Sequence, residues 1–265
     1  MKIREAIEKA SAVRGEQPGS FRPAAAEAAT VDAPSYSETR AVTLNPEILR
    51  ANRCLLPGSV ENSNYKVLRT QILKKTKPLG HNAIMVTSPT PGNGKTLTAI
   101  NLAINFARDF SQTVLLMDCD LIRQSVHRYL GVENDVSLAD YLVSGTELKD
   151  LMIWPGIDKF TFISGSHTLA DSTEYLSSPR MRSLVQEVKQ RYPERYIFFD
   201  VPPVLAGAEA MTFAPLVDGI IMVVEAGRTT RAEIRKALDL LPPEKFLGFI
   251  LNKATEQADS ICYYY

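Results

Sequence analysis

A short apolar run, Ala83-Ile84-Met85-Val86-Thr87, gives way to Ser88-Pro89-Thr90-Pro91-Gly92-Asn93-Gly94-Lys95-Thr96 and then to a stretch with Leu, Ala, Ile and Phe at helical spacing over 97–110. Strand, glycine-rich turn, helix is the handover at which backbone N–H groups converge on an anion. The Gly-Lys-Thr ending at that place predicts a phosphate-binding loop. Glycines let the backbone curl so that its N–H groups point inward, the helix N-terminus adds partial positive charge, and Lys95 reaches the β and γ oxygens of a nucleotide. Pro91, Gly92, Asn93, Gly94, Lys95, Thr96 and Leu97 are the expected nucleotide contacts, with the Thr96 hydroxyl directed at Mg²⁺. The first glycine of the usual G-x-x-x-x-G-K-[ST] pattern is replaced by Pro89.

The alternation continues down the chain. Apolar runs at 114–117, 160–163, 196–199, 219–224 and 246–251 read as strands, and 61–73, 180–191 and 231–241 as helices, with Pro78-Leu79-Gly80 stopping the first of these. Short, nearly continuous apolar strands separated by helices predict an α/β P-loop NTPase architecture, a mostly parallel central sheet flanked by helices on both faces. With 265 residues and 45% hydrophobic content, one such core can be buried. Residues 15–43 are rich in Ala, Pro, Ser and Glu and lack apolar periodicity. The expected organisation is a flexible arm over 1–55, a folded domain over 56–254 and a mobile tail over 255–265.

A magnesium nucleotide needs acidic groups at strand ends. Val114-Leu115-Leu116-Met117-Asp118-Cys119-Asp120 supplies two, and Tyr196-Ile197-Phe198-Phe199-Asp200 a third. Strands often end in Asp at a turn, so one such element says little, but the phosphate loop and both acidic strand ends in order say much more. Thirty basic residues balance thirty acidic ones, so no net field recruits nucleic acid or anionic lipid. Cys54, Cys119 and Cys262 are far apart with no CxxC pair, and His81, His127 and His167 have no second histidine at helical spacing, which argues against a disulfide framework or a zinc site. No run approaches about eighteen apolar residues, and the first ten residues are charged rather than signal-like, so the expected compartment is the cytoplasm.

With these motifs in place the chain resembles the bacterial tyrosine autokinases of exopolysaccharide and capsular polysaccharide synthesis, a branch of the MinD/ParA-like ATPases. The likeness covers roughly residues 61–265. Residues 88–96 resemble the Walker A of that family, where Pro-Gly-x-Gly-Lys-Ser/Thr is usual and the first glycine is not required. Residues 116–130 resemble Walker A′, residues 196–204 (YIFFDVPPV) resemble Walker B with its double proline, and Cys262-Tyr263-Tyr264-Tyr265 resembles the C-terminal tyrosine cluster. Three departures stand out. Thr90 occupies the place of the signature lysine of positioning ATPases, the oligomerisation motif Glu-x-x-Arg-x-x-Arg is matched by Ser63, Lys66 and Arg69 so that two of its three positions differ, and Leu121-Ile122-Arg123-Gln124-Ser125-Val126-His127 replaces Leu-Arg-x-Pro-x-x-His.

The resemblance implies ATP and Mg²⁺ as cofactors, Asp118 and Asp200 holding the ion with Thr96, Asn252 contacting the adenine base, and Tyr263, Tyr264 and Tyr265 as phosphoacceptors. Lys95, Asp118, Asp120 and Asp200 form the expected catalytic set; Asp120, two residues beyond Asp118, is placed to accept the tyrosine proton. It implies a membrane-embedded polysaccharide chain-length or co-polymerase activator as partner, a homo-oligomer, and a position peripheral to the inner face of the membrane. Asn252 also reads as a strand-end turn residue, and Arg228, Arg231 and Arg235 as a solvated helix face. Two other functions stay open on the sequence alone: a MinD/ParA-like positioning ATPase, disfavoured by Thr90 and the tyrosines, and a non-catalytic nucleotide sensor.

Overall fold

A computed structural model of the chain describes residues 39–55, 62–192 and 194–254. In chain order these carry β1 (Arg40–Ala41), α1 (Pro46–Ala51), α2 (Asn62–Thr76), β2 (Ala83–Thr87), α3 (Lys95–Ala107), β3 (Thr113–Asp118), α4 (Val126–Leu130), α5 (Leu138–Ser144), α6 (Leu148–Leu151), β4 (Ile153–Trp154), β5 (Phe160–Ile163), α7 (Ser172–Ser177), α8 (Pro179–Arg191), β6 (Arg195–Asp200), α9 (Glu209–Phe213), β7 (Gly219–Glu225), α10 (Arg231–Asp239) and β8 (Phe246–Asn252). The strands form one sheet in the order β1-β4-β5-β3-β6-β2-β7-β8. Pairing is parallel throughout except between β4 and β5.

Side chains alternate across a strand, so each central strand feeds two cores. Met85, Leu115, Met117, Phe199 and Met222 point to the face covered by α8, where Met181, Leu184, Val185 and Val188 are buried, and by Phe213 of α9. Ile84, Val86, Leu116, Phe198 and Val223 point to the face covered by α3, whose Leu102 and Phe106 are fully buried. Phe106 meets Phe198 edge-on, with ring centroids 4.9 Å apart. This is the two-faced parallel sheet the sequence implies, and it brings the carboxyl ends of β3, β6 and β2 side by side, with Asp118 in register with Asp200.

The structure moves some boundaries. α3 starts at Lys95, because Gly94 in the left-handed region (φ 90°) supplies the N-cap, and it ends at Ala107, leaving Phe110 71% exposed. Residues 40–55, expected in a flexible arm, are packed instead. Asn45 caps α1, and Leu49, Cys54 and Leu55 are buried. Asn101 of α3 accepts from the Leu55 amide at 2.8 Å and donates to the Arg53 carbonyl. Three apolar side chains spread over so short a piece leave no period to read, although together they attach it to the core. On α2, Arg69 is engaged within the chain, donating to the Asn105 carbonyl at 2.6 Å. The first ten residues and the tail over 255–265 lie outside the described residues.

Candidate active site

The loop between β2 and α3 takes the curled form that its glycines permit. Gly92 and Gly94 both lie at positive φ (86° and 90°). A Cβ on Gly94 would sit 2.1 Å from Asn252 Nδ2, so only glycine allows Asn252 to lie against the loop and donate to the Asn93 carbonyl at 2.9 Å. The Asn93 side chain is 1% exposed; it accepts from the Thr90 amide and hydroxyl and donates to Thr229 Oγ1 at 2.6 Å. Lys253 donates to the Gly92 carbonyl and pairs with Glu225. Hydrogen bonds from the Val204 and Leu205 amides to the Ser88 and Pro89 carbonyls tie the segment after Pro202-Pro203 to the start of the loop.

At the N-terminus of α3, Lys95 Nζ lies 3.1 Å from Asp120 Oδ2 and 3.2 Å from Asp200 Oδ1. Thr96 Oγ1 donates to Asp200 Oδ2 at 2.6 Å. Asp118 is fully buried, and its Oδ2 accepts from the Ser125 and Val126 amides (2.7 and 2.9 Å) and from Ser164 Oγ (2.8 Å). Ser164 Oγ in turn lies 2.9 Å from Nδ1 of the buried His127. Burial, then the Asp200 charge, pushes the Asp118 carboxyl up to about 7 against the pull of the Val126 amide, Lys95 and Ser164. Burial raises Asp200 as well. Burial also opposes the charge on Lys95, but Asp200, Asp120 and Asp118 together hold its proton and raise its pKa. Cys119, between the two aspartates, is an inert thiol pushed far up by burial.

A cleft of about 680 Å³ opens onto this cluster. Pro91, Gly92, Gly94, Lys95, Thr96, Leu97, Asp120 and Asn252 line it, as do Arg53, Ile122, Arg123, Arg128, Tyr129, Pro202, Pro203, Glu209 and Lys253. Asn93 braces the loop and does not line the cleft, and Asp118 and Asp200 lie beneath Lys95 with no exposed surface. The donor set fits a magnesium nucleotide. Hydroxyl and carboxylate oxygens are the hard ligands Mg²⁺ takes, and three carboxylates here face one ammonium, an excess of negative charge that a cation relieves.

Residues 84–261 match the CobQ/CobB/MinD/ParA nucleotide-binding domain. Tyrosine-protein kinase YwqD of Bacillus subtilis (strain 168) is 31% identical over 198 residues, 74% of this chain and 82% of that one. The chain belongs to the bacterial tyrosine kinases. The putative tyrosine-protein kinase CapB of Staphylococcus aureus is 23% identical over 211 residues, 79% of this kinase and 91% of CapB. The kinase domain of Escherichia coli tyrosine kinase ETK shares the fold, with a TM-score of 0.68 at 24% identity over 88% of this chain and 94% of that one. The kinase is thus a nucleotide-binding enzyme of the MinD/ParA class, and its candidate site lies at the carboxyl ends of β2, β3 and β6.

Sequence reasoning missed the groups that hold Asp118 in place. Ser164 follows the apolar run of β5, which pairs with β3. A polar residue just past the carboxyl end of a neighbouring strand was the available signal. The Ser125 and Val126 amides had none, because their role depends on the turn from β3 into α4.

Proposed function

We propose that the kinase uses ATP with Mg²⁺ to phosphorylate its own chain at Tyr263, Tyr264 and Tyr265. The observation that carries this reading is Lys95, held at the N-terminus of α3 between Asp120 and Asp200 beneath a loop with two glycines at positive φ. Amides of residues 92–96 and the Lys95 ammonium hold the β and γ phosphates, the ammonium exchanging carboxylate partners for phosphate oxygens. Thr96, Asp118 and Asp200 hold the ion directly or through its waters. Mg²⁺ there supplies neutralisation of the charge on the transferring phosphoryl group.

Asp120 is the carboxylate of the three that lines the cleft. As the tyrosine oxygen bonds to the γ phosphorus and the bond to the ADP oxygen breaks, Asp120 takes the hydroxyl proton. Asn252, which is bound to the loop and lines the cleft, would contact the adenine ring.

The physiological reading is control of exopolysaccharide synthesis and export by a homo-oligomer held at the inner membrane face by a membrane-embedded co-polymerase activator. The family supports it, and no helix among the described residues is long and apolar enough to cross a membrane. Because each phosphate adds about 1.5 to 2 negative charges, a phosphorylated tail is expelled from a carboxylate-rich site and any assembly held by tail docking loosens.

The test is incubation of purified protein with ATP and Mg²⁺, read by mass spectrometry of the C-terminal peptide, beside Lys95→Met and a triple Tyr→Phe variant at 263–265. Phosphate on the tail that is lost in both variants is the expected result. Phosphate release without phosphotyrosine identifies a positioning ATPase instead, and nucleotide binding without turnover, even with a membrane activator, a sensor.

A further inference from the structure

The catalytic mechanism leaves the outer part of the cleft unused. Arg53 at the end of the segment following α1, Arg123 after β3 and Arg128 on α4 converge there from three elements, beside Ile122 and Tyr129. The guanidinium groups of Arg53 and Arg123 have no hydrogen-bond or ion-pair partner among the described residues, whereas Arg128 donates to the Gln124 carbonyl at 2.8 Å. Beyond this mouth the surface continues into a second hollow of about 420 Å³ that shares Ile122, Arg123 and Arg128 and is lined by no carboxylate. Inside the mouth the two carboxylates are already committed, Asp120 to Lys95 and the buried Glu209 to the Ser172 hydroxyl. The mouth is therefore a field of uncompensated positive charge on a chain whose net charge is zero.

We infer that this arginine mouth is the acceptor-recognition subsite of the kinase, and that it takes the acidic stretch preceding the tyrosines of a second copy of the chain. The inference rests on the reading that Tyr263–Tyr265 are the acceptors. Between Lys253 and Tyr263 the sequence is Ala254-Thr255-Glu256-Gln257-Ala258-Asp259-Ser260-Ile261-Cys262, with two carboxylates and no cation. Asp259 stands four residues before Tyr263, a reach of at most about 14 Å in extended chain. The geometry at the other end matches: the Arg123 amide donates to Asp120 Oδ1 at 3.1 Å, so the arginine begins beside the proposed proton acceptor. A tyrosine hydroxyl at Asp120 leaves its upstream carboxylates at the mouth, where charge-assisted pairs with Arg53, Arg123 and Arg128 select acidic acceptors and set their register.

The experiment measures transfer from the active kinase to a full-length Lys95→Met acceptor, read as phosphate on residues 263–265 against acceptor concentration. In an Arg53→Glu, Arg123→Glu kinase the acceptor KM is expected to rise about tenfold while kcat at saturating acceptor and the KM for ATP stay within about twofold. An acceptor carrying Glu256→Lys and Asp259→Lys should behave as poorly with the unaltered kinase and should recover with the reversed one. Arg123→Glu alone, at an exposed side chain with no partner to lose, guards against a folding defect. An unchanged acceptor KM, no recovery on swapping both sides, or an equal rise in the KM for ATP overturns the inference; the last would assign the arginines to the nucleotide. An unaltered kinase that leaves the tail free of phosphate is a different result, the failure of the acceptor assignment itself.

Discussion

The chemistry at residue scale turns on one ammonium serving three carboxylates. Lys95→Met removes both the phosphate-binding charge and the neutralisation of Asp120 and Asp200, and tail phosphorylation should fall by about a hundredfold or more, measured by initial-rate phosphotyrosine formation. Asp118 gives a second, independent handle. Its ordinary carboxyl value is 3.8 and burial pushes it up to about 7, so between those values the folded chain binds more protons than the unfolded one. The contribution of Asp118 is therefore fully present below about pH 4 and is lost as pH rises through 7. In chelator-treated, nucleotide-free protein, urea unfolding should show stability declining between pH 5 and 7.5 more steeply than in Asp118→Asn, which has no proton to lose. Parallel pH profiles for the two proteins would mean that the carboxylate is ionised throughout, its hydrogen bonds outweighing burial.

Among the elements, the loop between β2 and α3 is the one whose shape depends on another part of the chain. Gly94→Ala places a Cβ at φ 90° and 2.1 Å from Asn252 Nδ2. The expected cost is about 1–2 kcal/mol from the backbone alone, with nucleotide affinity down by about tenfold or more as the loop shifts. Asn252→Ala in the same background should recover the part due to the clash, and a double-mutant cycle by calorimetric ADP binding and thermal unfolding measures that coupling. A coupling near zero would show that Asn252 does not brace the loop.

The same loop shows why some elements were legible and others not. Gly-Lys-Thr after an apolar run names the handover, and long helices such as α8, with a Pro at its first turn and a Ser178 cap, repeat their pattern often enough to be read. α4, α6 and α9 span four or five residues each, about one turn, so no period exists to detect. The site divides along the same line. Lys95 and Thr96 open α3, and Asp118, Asp120 and Asp200 sit at or just past the ends of β3 and β6, all flagged by local motifs, while Ser164, Arg53 and Glu209 reach the site from separate parts of the chain. What they do there is fixed by sheet order, which no local pattern encodes.

At the scale of the whole molecule, the segment over 40–55 ties together the two helices that carry the site. Asn101 lies on α3, whose first residue is Lys95, and it holds Leu55 and Arg53. Asn52 donates to the Tyr129 carbonyl of α4, which follows the Asp118-Cys119-Asp120 turn, and a Cβ on Gly131 would come within 2.8 Å of Ile48 Cγ2. Between these polar ties, Leu49 packs into the same buried cluster as Leu102 of α3 and Leu130 of α4. Leu49→Ala should therefore cost about 2–5 kcal/mol, the range for emptying a buried leucine site. For a domain of this size that lowers the melting temperature by roughly 4–20 °C. The shift should appear in the main cooperative transition seen by calorimetry, since the segment and the sheet share one core. If residues 40–55 were an appendage, the substitution would leave that transition in place, and Arg53 could not be positioned at the cleft mouth by the packing of α1. The same measurement thus decides whether the arginine mouth is a fixed part of the kinase fold or is borrowed from a separable arm.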